Sequence, residues 1–455
     1  MLRGLTWRRS IPVLRNLGKE HRFSRMTDGR NFLPTDVRGM TVLDRSVFQR
    51  KVQVPKLTVE ARKLPGVLSK VKEKVLKFAK LKAVFGEEEK TILLNPDTVK
   101  SWEDVEDLLK DSEISEESLQ WGEIELNYEN FKFNDVFKAV LPEGQENFSS
   151  FSQIGHIIHV NLKDHLLPFG ALIGQVLLDK IPTCKTVVNK IHTIDSTFRN
   201  FQMEILAGQE QYQVEVRENG FVFEFDFSKV YWNPRLSSEH ERIVKSLPSG
   251  SHLCDVFAGV GPFSVPAGRK KCHVLANDLN PDSVRWLQHN AKRNKVEKSL
   301  KITNKDGREF ILSDLKDHLV KFWKLGDTKQ SLTIVMNLPA LAVEFLDAFS
   351  GLLADNSELQ NIERSLPLLH VYTFVKGGPP EDARTSAETH LGHNISDFVS
   401  TTFVRNVSPN KDMFRVTFHL TDDILFCQKS LKRALDAPQE QEPFPKILCT
   451  SQNDQ

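Results

Sequence analysis

The sequence predicts an α/β protein whose principal domain is a doubly wound, mostly parallel sheet with an antiparallel edge. From residue 253 onward, strand-like segments alternate with helical segments of roughly 10 to 15 residues, the pattern of a parallel sheet covered on both faces. Two last strand-like segments, 398–406 and 413–420, have no helix between them, which indicates an antiparallel edge. Upstream, phenylalanine at every second position of 221–227 indicates a strand with one apolar face, and with it a smaller α+β domain.

The first half of the chain predicts a basic amphipathic helix over 64–85, where apolar residues recur at helical spacing with lysines between them. Strands are also predicted over 91–94, 154–162 and 212–216. Asn219 and Gly220 predict a hairpin turn before the strand in 221–227, because both residues tolerate the positive φ of a tight turn. The small α+β domain is expected to end near Val230.

The second half predicts the alternating elements of the doubly wound sheet. Strands are predicted over 253–257, 273–277, 300–304, 332–336 and 368–374. Helices are predicted up to residue 270 after the first of these strands, and then over 281–294, 308–323, 342–353 and 381–391. The polar tail after Ala434 is expected to be disordered.

Length and composition limit the class of protein. A chain of 455 residues allows about three domains, and 40% hydrophobic with 27% charged residues is ordinary for a globular protein. No run of about 18 apolar residues predicts a membrane span. The five cysteines form no CxxC pair, which argues against a zinc site or a disulfide framework, so we expect no metal.

Charge is distributed unevenly along the chain. Residues 1–85 hold 21 Lys and Arg against 6 Asp and Glu, whereas residues 86–146 hold 5 against 18. This asymmetry predicts an anionic partner for the basic part, and nucleic acid is the commonest candidate.

The first 26 residues have the composition of a mitochondrial transit peptide: six arginines, one lysine and Glu20 as the single acid, interleaved with apolar residues. The alternative is a basic disordered arm. Met26 could start a shorter product, so we expect a mitochondrial matrix protein with additional cytoplasmic and nuclear pools.

The sequence DVFAGVGPF, residues 255–263, lies where the first strand of the sheet turns into its first helix. Gly259 and Gly261 let the backbone approach a ligand closely, and Asp278, nineteen residues after Gly259, can accept hydrogen bonds from ribose hydroxyls. These features fit NAD and S-adenosyl-L-methionine equally. Ser264, in place of the third glycine of the dinucleotide fingerprint, and Asp255, an acceptor for an amino group, favour the second cofactor.

Two further polar residues follow the next strands at the same predicted edge. Asp306, after the third strand, can accept from an adenine amino group. Asn337, in the sequence MNLPA after the fourth strand, carries both a donor and an acceptor and so suits a purine edge, and Pro339 stiffens its turn. Upstream, VYWNPRLSSE (230–239) groups aromatics, an arginine and a carboxylate, and FRNFQMEIL (198–206) carries Arg199 and Glu204. Alone, each upstream segment also fits interdomain packing or surface ion pairs.

Together these residues closely resemble the eukaryotic and archaeal tRNA (guanine37-N1)-methyltransferase family. The resemblance runs from about residue 36 to 420 and includes VYWNPRL, DVFAGVGPF, NDLNP, MNLPA and the late segment VRNVSPNK (404–411). It implies a class I (Rossmann-like) methyltransferase domain that transfers a methyl group from S-adenosyl-L-methionine to N1 of the guanine 3′ of the anticodon. The implied division is an arm over 1–30, a domain over 31–125 that binds the tRNA elbow, a middle domain over 126–230, the methyltransferase domain over 231–425 and a tail over 426–455.

The resemblance also implies roles for individual residues. Guanine N1 is protonated at neutral pH, so the reaction needs a base and a cation near O6. Glu239 resembles the base, Arg199 the cation and Asn337 the reader of the guanine edge, with support from Tyr231 and Arg235. The implied cofactor-binding residues are Asp255, Phe257, Gly259, Gly261, Asp278, Leu279, Asp306, Gly307 and Asn337. The target base must leave the stack, and either Tyr231 or Trp232 could stack on it.

Three alternatives stay open from the sequence. An aminocarboxypropyl transferase of the wybutosine pathway has a similar fold but usually lacks the asparagine at the position of Asn337. An NAD-dependent oxidoreductase is disfavoured by Ser264 and by the lack of a Tyr-x-x-x-Lys pair. A noncatalytic tRNA-binding protein would show damage in the glycine turn or at Glu239, and neither is damaged. Nothing in the sequence requires a dimer, so we expect a monomer that binds tRNA and no membrane.

Overall fold

The computed structural model describes residues 32–143, 148, 150–194, 201–326, 330–360, 362–395 and 399–428. The predicted transit peptide and most of the predicted tail lie outside these residues. The described parts of the chain form two compact units. The first takes its residues from Met1–Gln153, Ile157–Lys190 and Glu204–Glu210, and the second from Ile154–His156, Ile191–Met203 and Gln211–Gln455.

The first unit contains two four-stranded sheets, of strand order β2-β3-β1-β4 and β5-β6-β7-β8, the second of which also includes a few residues of the other unit. Among the described residues its strands are β1 Arg50–Glu60, β2 Val84–Phe85, β3 Glu89–Leu93, β4 Leu119–Leu126, β5 Ser152–Ile154, β6 Ile157–Val160, β7 Thr186–Ile194 and β8 Phe201–Gly208. Its helices are α1 Leu64–Val71, α2 Glu103–Leu109, α3 Phe133–Val140 and α4 Gly170–Lys180. Its largest core includes the fully buried rings of Phe48 and Phe131.

The predicted basic helix over 64–85 is wrong in length. Helix α1 ends at Val71 and is followed by one 3-10 turn, Lys72–Lys74. The next residues are extended because Leu76 N–H donates to the carbonyl of Leu93, at 2.9 Å, and Asn95 N–H donates to that of Lys74, at 2.8 Å. The apolar residues beyond α1 therefore reach the core from an extended segment docked on β3, not from a helix.

The second unit contains a seven-stranded sheet among its described residues, of strand order β13-β12-β11-β14-β15-β17-β16. Its strands are β9 Gln213–Glu218, β10 Phe221–Asp226, β11 His252–Asp255, β12 His273–Asn277, β13 Leu300–Thr303, β14 Leu332–Met336, β15 Leu368–Lys376, β16 Ser400–Ser408 and β17 Lys411–His419. Strands β11 to β15 of this sheet pair in parallel, and β17 pairs antiparallel with both β15 and β16. The predicted doubly wound sheet with an antiparallel edge is confirmed, and its strand order reverses between β11 and β14.

Helices cover this sheet largely where the sequence predicts them. They are α5 Ser237–Ser246, α6 Ser264–Arg269, α7 Pro281–Arg293, α8 Gly307–Phe310, α9 Lys316–Lys324, α10 Pro380–Leu391 and α11 Asp422–Leu425. A π-helical turn, Ile311–Leu315, joins α8 to α9, so the predicted helix over 308–323 is continuous but locally widened. The helix predicted over 342–353 is a 3-10 helix, Ala342–Phe349. Among the described residues, no helix is long and apolar enough to cross a membrane.

The predicted hairpin turn is confirmed, because Asn219 and Gly220 adopt φ of 51° and 84° between β9 and β10. The hairpin is fastened to α7 by two asparagines. The side chain of Asn290, fully buried, accepts from Glu224 N–H at 2.9 Å, and that of Asn294 accepts from Val222 N–H at 3.2 Å. The structure thus groups the hairpin with the second unit, whereas the sequence analysis places it in the middle domain. The other predicted domain boundaries stay predictions.

Candidate active site

The turn after β11 contains two glycines with different surroundings. Both have positive φ, +54° at Gly259 and +98° at Gly261, a region that side chains with a Cβ rarely adopt. A Cβ built on Gly259 meets nothing within 4 Å, so this backbone faces open space. A Cβ on Gly261 would lie 2.4 Å from Cδ1 of Leu287. Gly261 therefore lets α7 pack against the turn, and Gly259 leaves room for a ligand.

Asp278, after β12, fixes the shape of this turn. Its Oδ2 accepts from Gly259 N–H at 2.8 Å, and its Oδ1 accepts from Asn280 N–H at 2.9 Å. Burial raises the pKa of Asp278, and these backbone donors oppose that effect. The side chain of Ser283 also donates to Asp278, which keeps one lone pair for a hydroxyl group of a ligand.

Asn277, fully buried beside Asp278, connects the loops after three strands. Its Nδ2 donates to the carbonyls of Val256, at 3.2 Å, and Lys305, at 3.0 Å. Its Oδ1 accepts from Lys305 N–H at 3.0 Å and from Thr303 Oγ1 at 2.9 Å. The sequence analysis assigns no role to Asn277, although a polar residue at the end of an apolar strand is the signal that could have indicated one.

Asp255, at the end of β11, is completely buried with one oxygen unpaired. Its Oδ2 accepts from the hydroxyl of Ser264 at 2.7 Å, whereas its Oδ1 has no hydrogen-bond partner among the described residues. Burial raises the pKa of Asp255 to about 7, and the charge of Asp278 adds to this effect. Residue 264 is serine where the dinucleotide fingerprint has glycine or alanine. The structure gives a physical reason, because the serine hydroxyl donates to Asp255.

Apolar groups lie at the same edge of the sheet. A Cβ on Gly307 would lie 2.7 Å from Cε1 of Phe257, so the absence of a side chain there makes room for the phenylalanine ring. Leu279, directly after Asp278, exposes 44% of its surface. Asp306 is exposed and caps α8, with its Oδ1 accepting from Arg308 N–H at 2.8 Å. These residues offer apolar faces and a carboxylate to a flat heterocycle.

Asn337 follows β14, the neighbour of β11 in the sheet. Its Oδ1 is buried and has no hydrogen-bond partner among the described residues. Buried side-chain acceptors are hydrogen-bonded in the large majority of cases. The ends of β11 and β14 therefore each present a buried acceptor whose partner the described residues do not supply.

Glu239, on α5, is buried and held by three side chains. Its Oε1 accepts from the hydroxyl of Tyr372 at 2.7 Å and from Arg415 Nη1 at 2.9 Å. Its Oε2 accepts from Arg242 Nε at 2.8 Å and also contacts Nη2 of that residue. Tyr372 and Arg415 were not predicted as site residues, and no local motif identifies them.

The segment before α5 presents one aromatic side chain to solvent and buries the other. Tyr231 exposes 55% of its surface, whereas Trp232 exposes 7% and packs against Phe223 and Phe225, with ring centroids 5.3 and 5.1 Å away. The sequence did not decide whether Tyr231 or Trp232 stacks on the target base. Of these two side chains, only Tyr231 is exposed enough to do so.

Two arginines lie beside this exposed tyrosine. Arg235 belongs to a 3-10 turn, Pro234–Leu236, that the side chain of Asn233 caps. Arg405, on the edge strand β16, has a pKa lowered by burial and by the nearby charge of Arg235. Arg199, the predicted cation for O6, lies outside the described residues. Glu204 belongs to β8, in the first unit.

Comparisons with known proteins agree with this architecture. The family model described as the TRM5/TYW2 methyltransferase domain matches residues 214–360, and that described as the TYW2 N-terminal domain matches residues 133–211. The chain is similar to proteins named tRNA (guanine(37)-N(1))-methyltransferase. That of Drosophila pseudoobscura pseudoobscura is 53% identical over 87% of this chain and 92% of its own length. That of Drosophila melanogaster is 50% identical over 91% and 93%, and that of Danio rerio is 46% identical over 91% and 88%.

Solved structures are similar in fold. Trm5b from Pyrococcus abyssi, at 22% identity, has a TM-score of 0.55 over 80% of this chain and 99% of its own. The protein named aTrm5, solved in complex with tRNALeu, has a TM-score of 0.55 at 21% identity over 81% of this chain and 100% of its own.

The two glycines of the turn should differ in their effect on stability. Both Gly259→Ala and Gly261→Ala place a Cβ at positive φ, at a cost of about 1 kcal/mol. Only Gly261→Ala also forces a Cβ against Leu287, which should cost roughly a further 1–3 kcal/mol. Thermal unfolding should therefore occur several degrees lower for Gly261→Ala than for Gly259→Ala, and equal melting temperatures would contradict the assigned packing role.

Proposed function

The chain belongs to the tRNA (guanine(37)-N(1))-methyltransferase family. On that premise, we propose a role in the methyl transfer for each candidate residue of its second unit. The protein methylates N1 of guanosine 37 in tRNA. Relatives of that name are 46 to 53% identical over 87 to 91% of the chain. This similarity favours methyl transfer over the aminocarboxypropyl transfer and the hydride transfer considered from the sequence.

The observation that carries the proposal is the pair of unpartnered, buried oxygens at the ends of β11 and β14, Asp255 Oδ1 and Asn337 Oδ1. Asp255 fits the ammonium group of S-adenosyl-L-methionine, since a buried carboxylate is stabilised by a cation that binds it directly. The open backbone at Gly259 fits the close approach of the same ligand. When bound, S-adenosyl-L-methionine supplies an electrophilic methyl group on its positively charged sulfur.

The remaining cofactor-binding residues fit the nucleoside part of this ligand. Asp278 accepts from Gly259, Asn280 and Ser283 and keeps one lone pair for a ribose hydroxyl. Phe257 and Leu279 offer apolar contact to the adenine ring, and Asp306 offers an acceptor to its amino group. Gly307 contributes indirectly, by leaving room for Phe257. The residues proposed to bind the cofactor are those predicted from the sequence.

Asn337 reads the guanine edge. Its amide carries an acceptor and two donors, and guanine presents donors at N1 and N2 and an acceptor at O6 along one edge. The buried Oδ1 at the end of β14 has no hydrogen-bond partner among the described residues, so it can accept from a donor on that edge when the base enters the site. A base that presents the opposite pattern of donors and acceptors along this edge would leave the amide unpaired, so it is rejected.

Glu239 acts as the general base. The proton of guanine N1 passes to Oε2, and N1 keeps the electron pair of the broken N–H bond. Oε1 is held by two buried donors, Tyr372 and Arg415, whereas Oε2 is held by the partly exposed Arg242, so Oε2 is the oxygen assigned to the proton. Arg199 stays the predicted cation for the negative charge that develops on O6.

The surface beside Glu239 binds the nucleotides around the target base. Tyr231 provides an exposed ring for stacking, which is worth about 1–3 kcal/mol per base. Arg235 and Arg405 lie close enough for the charge of one to affect the pKa of the other, and a phosphate group between them would relieve this repulsion. This surface, Tyr231 with Arg235 and Arg405, supports extrusion of the guanine from its stack.

The basic part of the first unit, within residues 1–85, contacts the outer corner of tRNA. The support is the excess of Lys and Arg over residues 1–85 and the exposure of the lysines in and after α1, Lys70, Lys72, Lys80 and Lys82. Nothing in the proposed chemistry needs a second copy of the chain, so the active form is proposed to be a monomer.

The arginine-rich first 26 residues direct the protein to the mitochondrial matrix. Initiation at Met26 would give a product without this segment and so supply the cytoplasmic and nuclear pools.

The affinity for S-adenosyl-L-methionine should fall in acid, because protonation of Asp255 competes with the ligand's ammonium group. With a pKa of about 7, the ionised fraction of Asp255 drops from most to roughly a tenth between pH 7.5 and 6.0. Calorimetry should show the dissociation constant rising about fivefold to tenfold over this range. The rise should vanish in Asp255→Asn and persist in Asp306→Asn, and a flat wild-type profile would refute the contact.

Glu239→Gln should lower the single-turnover rate of N1 methylation by roughly a hundredfold to ten-thousandfold, because the amide cannot accept the proton. The assay uses labelled S-adenosyl-L-methionine and undermodified tRNA, with the product nucleoside identified by mass. Binding of both substrates should change little. Glu241→Gln, two residues further along α5 in an ion pair with Lys245, is the matched control and should react at a near-normal rate. A normal rate for Glu239→Gln would remove it as the base.

A fluorescent reporter fused after residues 1–26 should accumulate in mitochondria, since an arginine-rich, acid-poor amphipathic segment is what the import machinery selects. Replacing the six arginines with serine should leave the reporter in the cytosol. A reporter that stays cytosolic with the native segment would contradict the transit function.

A further inference from the structure

The carboxylate of Glu239 lies in a buried polar cluster that the methyl-transfer reaction alone does not explain. Tyr372 is completely buried and Arg415 nearly so, and both donate to the same oxygen, Oε1. Their positions in the sequence lie 133 and 176 residues from Glu239. Burying charged groups is costly even when they are paired, so a buried ion pair is weak evidence for a contribution to stability.

The sheet itself brings the two donors together. Tyr372 on β15 and Arg415 on β17 are direct partners across the antiparallel pair, which places their side chains on the same face of the sheet. Met336 on β14 is opposite Val371 on β15, so Asn337 follows β14 at the level of Tyr372. The donors that hold Glu239 therefore belong to the same row of the sheet as the residue proposed to read the guanine.

Tyr372 also touches the cofactor turn. Its ring centroid lies 6.4 Å from that of Phe263, the last residue of DVFAGVGPF. Its hydroxyl donates to Glu239 Oε1. One buried side chain thus contacts both the glycine turn and the carboxylate.

The phenol of Tyr372 and the ring of His370 each keep one protonation state. Burial, together with the charge of Glu239, raises the pKa of Tyr372 far above its ordinary value, so the phenol stays a donor. Burial and the charges of Arg415 and Arg242 lower the pKa of His370, on β15, to about 3, so this neighbour stays neutral. The charged groups facing Glu239 are therefore Arg242 from its own helix and Arg415 from β17.

The two oxygens of Glu239 differ in access. Oε1 is held by the buried pair, whereas Oε2 is held by Arg242, whose side chain is 43% exposed. An exposed arginine can move away at little cost, and a buried tyrosine and arginine cannot, since each would leave an unpaired group in the interior. Arg242 is thus the partner that can move away and let Oε2 contact a substrate.

We propose that Tyr372 and Arg415 are positioning residues for the base: they hold Oε1 of Glu239 so that Oε2 faces guanine N1, and Arg242 leaves Oε2 when the guanine binds. This inference rests on the proposed role of Glu239 as the general base. Tyr372 and Arg415 touch neither substrate, so their effect on the reaction passes entirely through Glu239.

The test is the single-turnover methylation rate of Tyr372→Phe, which removes one hydroxyl and keeps the ring. The rate should fall about tenfold to a hundredfold, the value of one hydrogen bond to a charged group. The dissociation constants for tRNA and S-adenosyl-L-methionine should stay within about twofold. Tyr128→Phe is the matched control, because Tyr128 is also buried and donates to a carboxylate, Asp179, at 3.2 Å in the first unit. It should react at the wild-type rate.

A double-mutant cycle separates positioning from general damage. If Tyr372 acts through Glu239, adding Tyr372→Phe to Glu239→Gln should lower the rate no further. An equal loss in both backgrounds, or a wild-type rate for Tyr372→Phe alone, would overturn the inference. If Tyr372→Phe does not fold, Arg415→Lys provides the same comparison, since it keeps the charge but loses the planar donor fork.

The outcomes also distinguish this inference from the function on which it rests. A normal rate for Glu239→Gln overturns the base and the positioning role together. A slow Glu239→Gln with a normal Tyr372→Phe leaves the base in place and overturns positioning alone.

Discussion

The carboxylate of Asp278 accepts a hydrogen bond from the backbone of Gly259, and this bond joins the loops that follow β11 and β12. It holds the glycine turn at a positive φ that leaves open space above Gly259. The side chain of Asn277, one residue earlier, hydrogen-bonds to the backbone of Lys305 and so joins the loop after β13 to the same edge. The edge of the sheet where a ligand can bind is therefore shaped by two adjacent polar residues at the end of one strand.

Two buried acids at this edge have opposite environments, and the difference matches their proposed roles. Asp255 has a single hydroxyl donor and a pKa raised to about 7 by burial, so a bound cation is what its site lacks. Glu239 has donors on both oxygens, from one tyrosine and two arginines. Its charge is already stabilised within the protein. These environments fit the proposed roles, a positively charged ligand at Asp255 and a carboxylate held in place at Glu239.

The sequence predicts much of the sheet and most of the residues that line its edge, because both follow local rules. Buried parallel strands appear as short apolar runs, and ligand-binding residues of such sheets follow the strands directly. The prediction over 64–85 is wrong because the apolar spacing there serves an extended segment equally well. The choice between Tyr231 and Trp232 needed the packing of Trp232 on the hairpin strands. Tyr372 and Arg415 could not be predicted from the sequence, because only the pairing of β15 with β17 brings them to Glu239.

The proposed role of Glu239 gives the antiparallel edge of the sheet a role in the active site as well as in the fold. In an antiparallel pair, directly opposed residues project to the same side with Cβ atoms about 4.5–5.5 Å apart, a spacing that lets two donors converge on one carboxylate oxygen. Strand β17 runs against β15 and places Arg415 opposite Tyr372, while β16 supplies Thr402, whose hydroxyl accepts from Arg415 Nη2 at 3.3 Å. The last two strands thus contribute Arg415, which holds Glu239, and Thr402, which holds Arg415. A substitution in β16 or β17 can therefore alter the chemistry without touching a substrate, because it changes how firmly Oε1 is held.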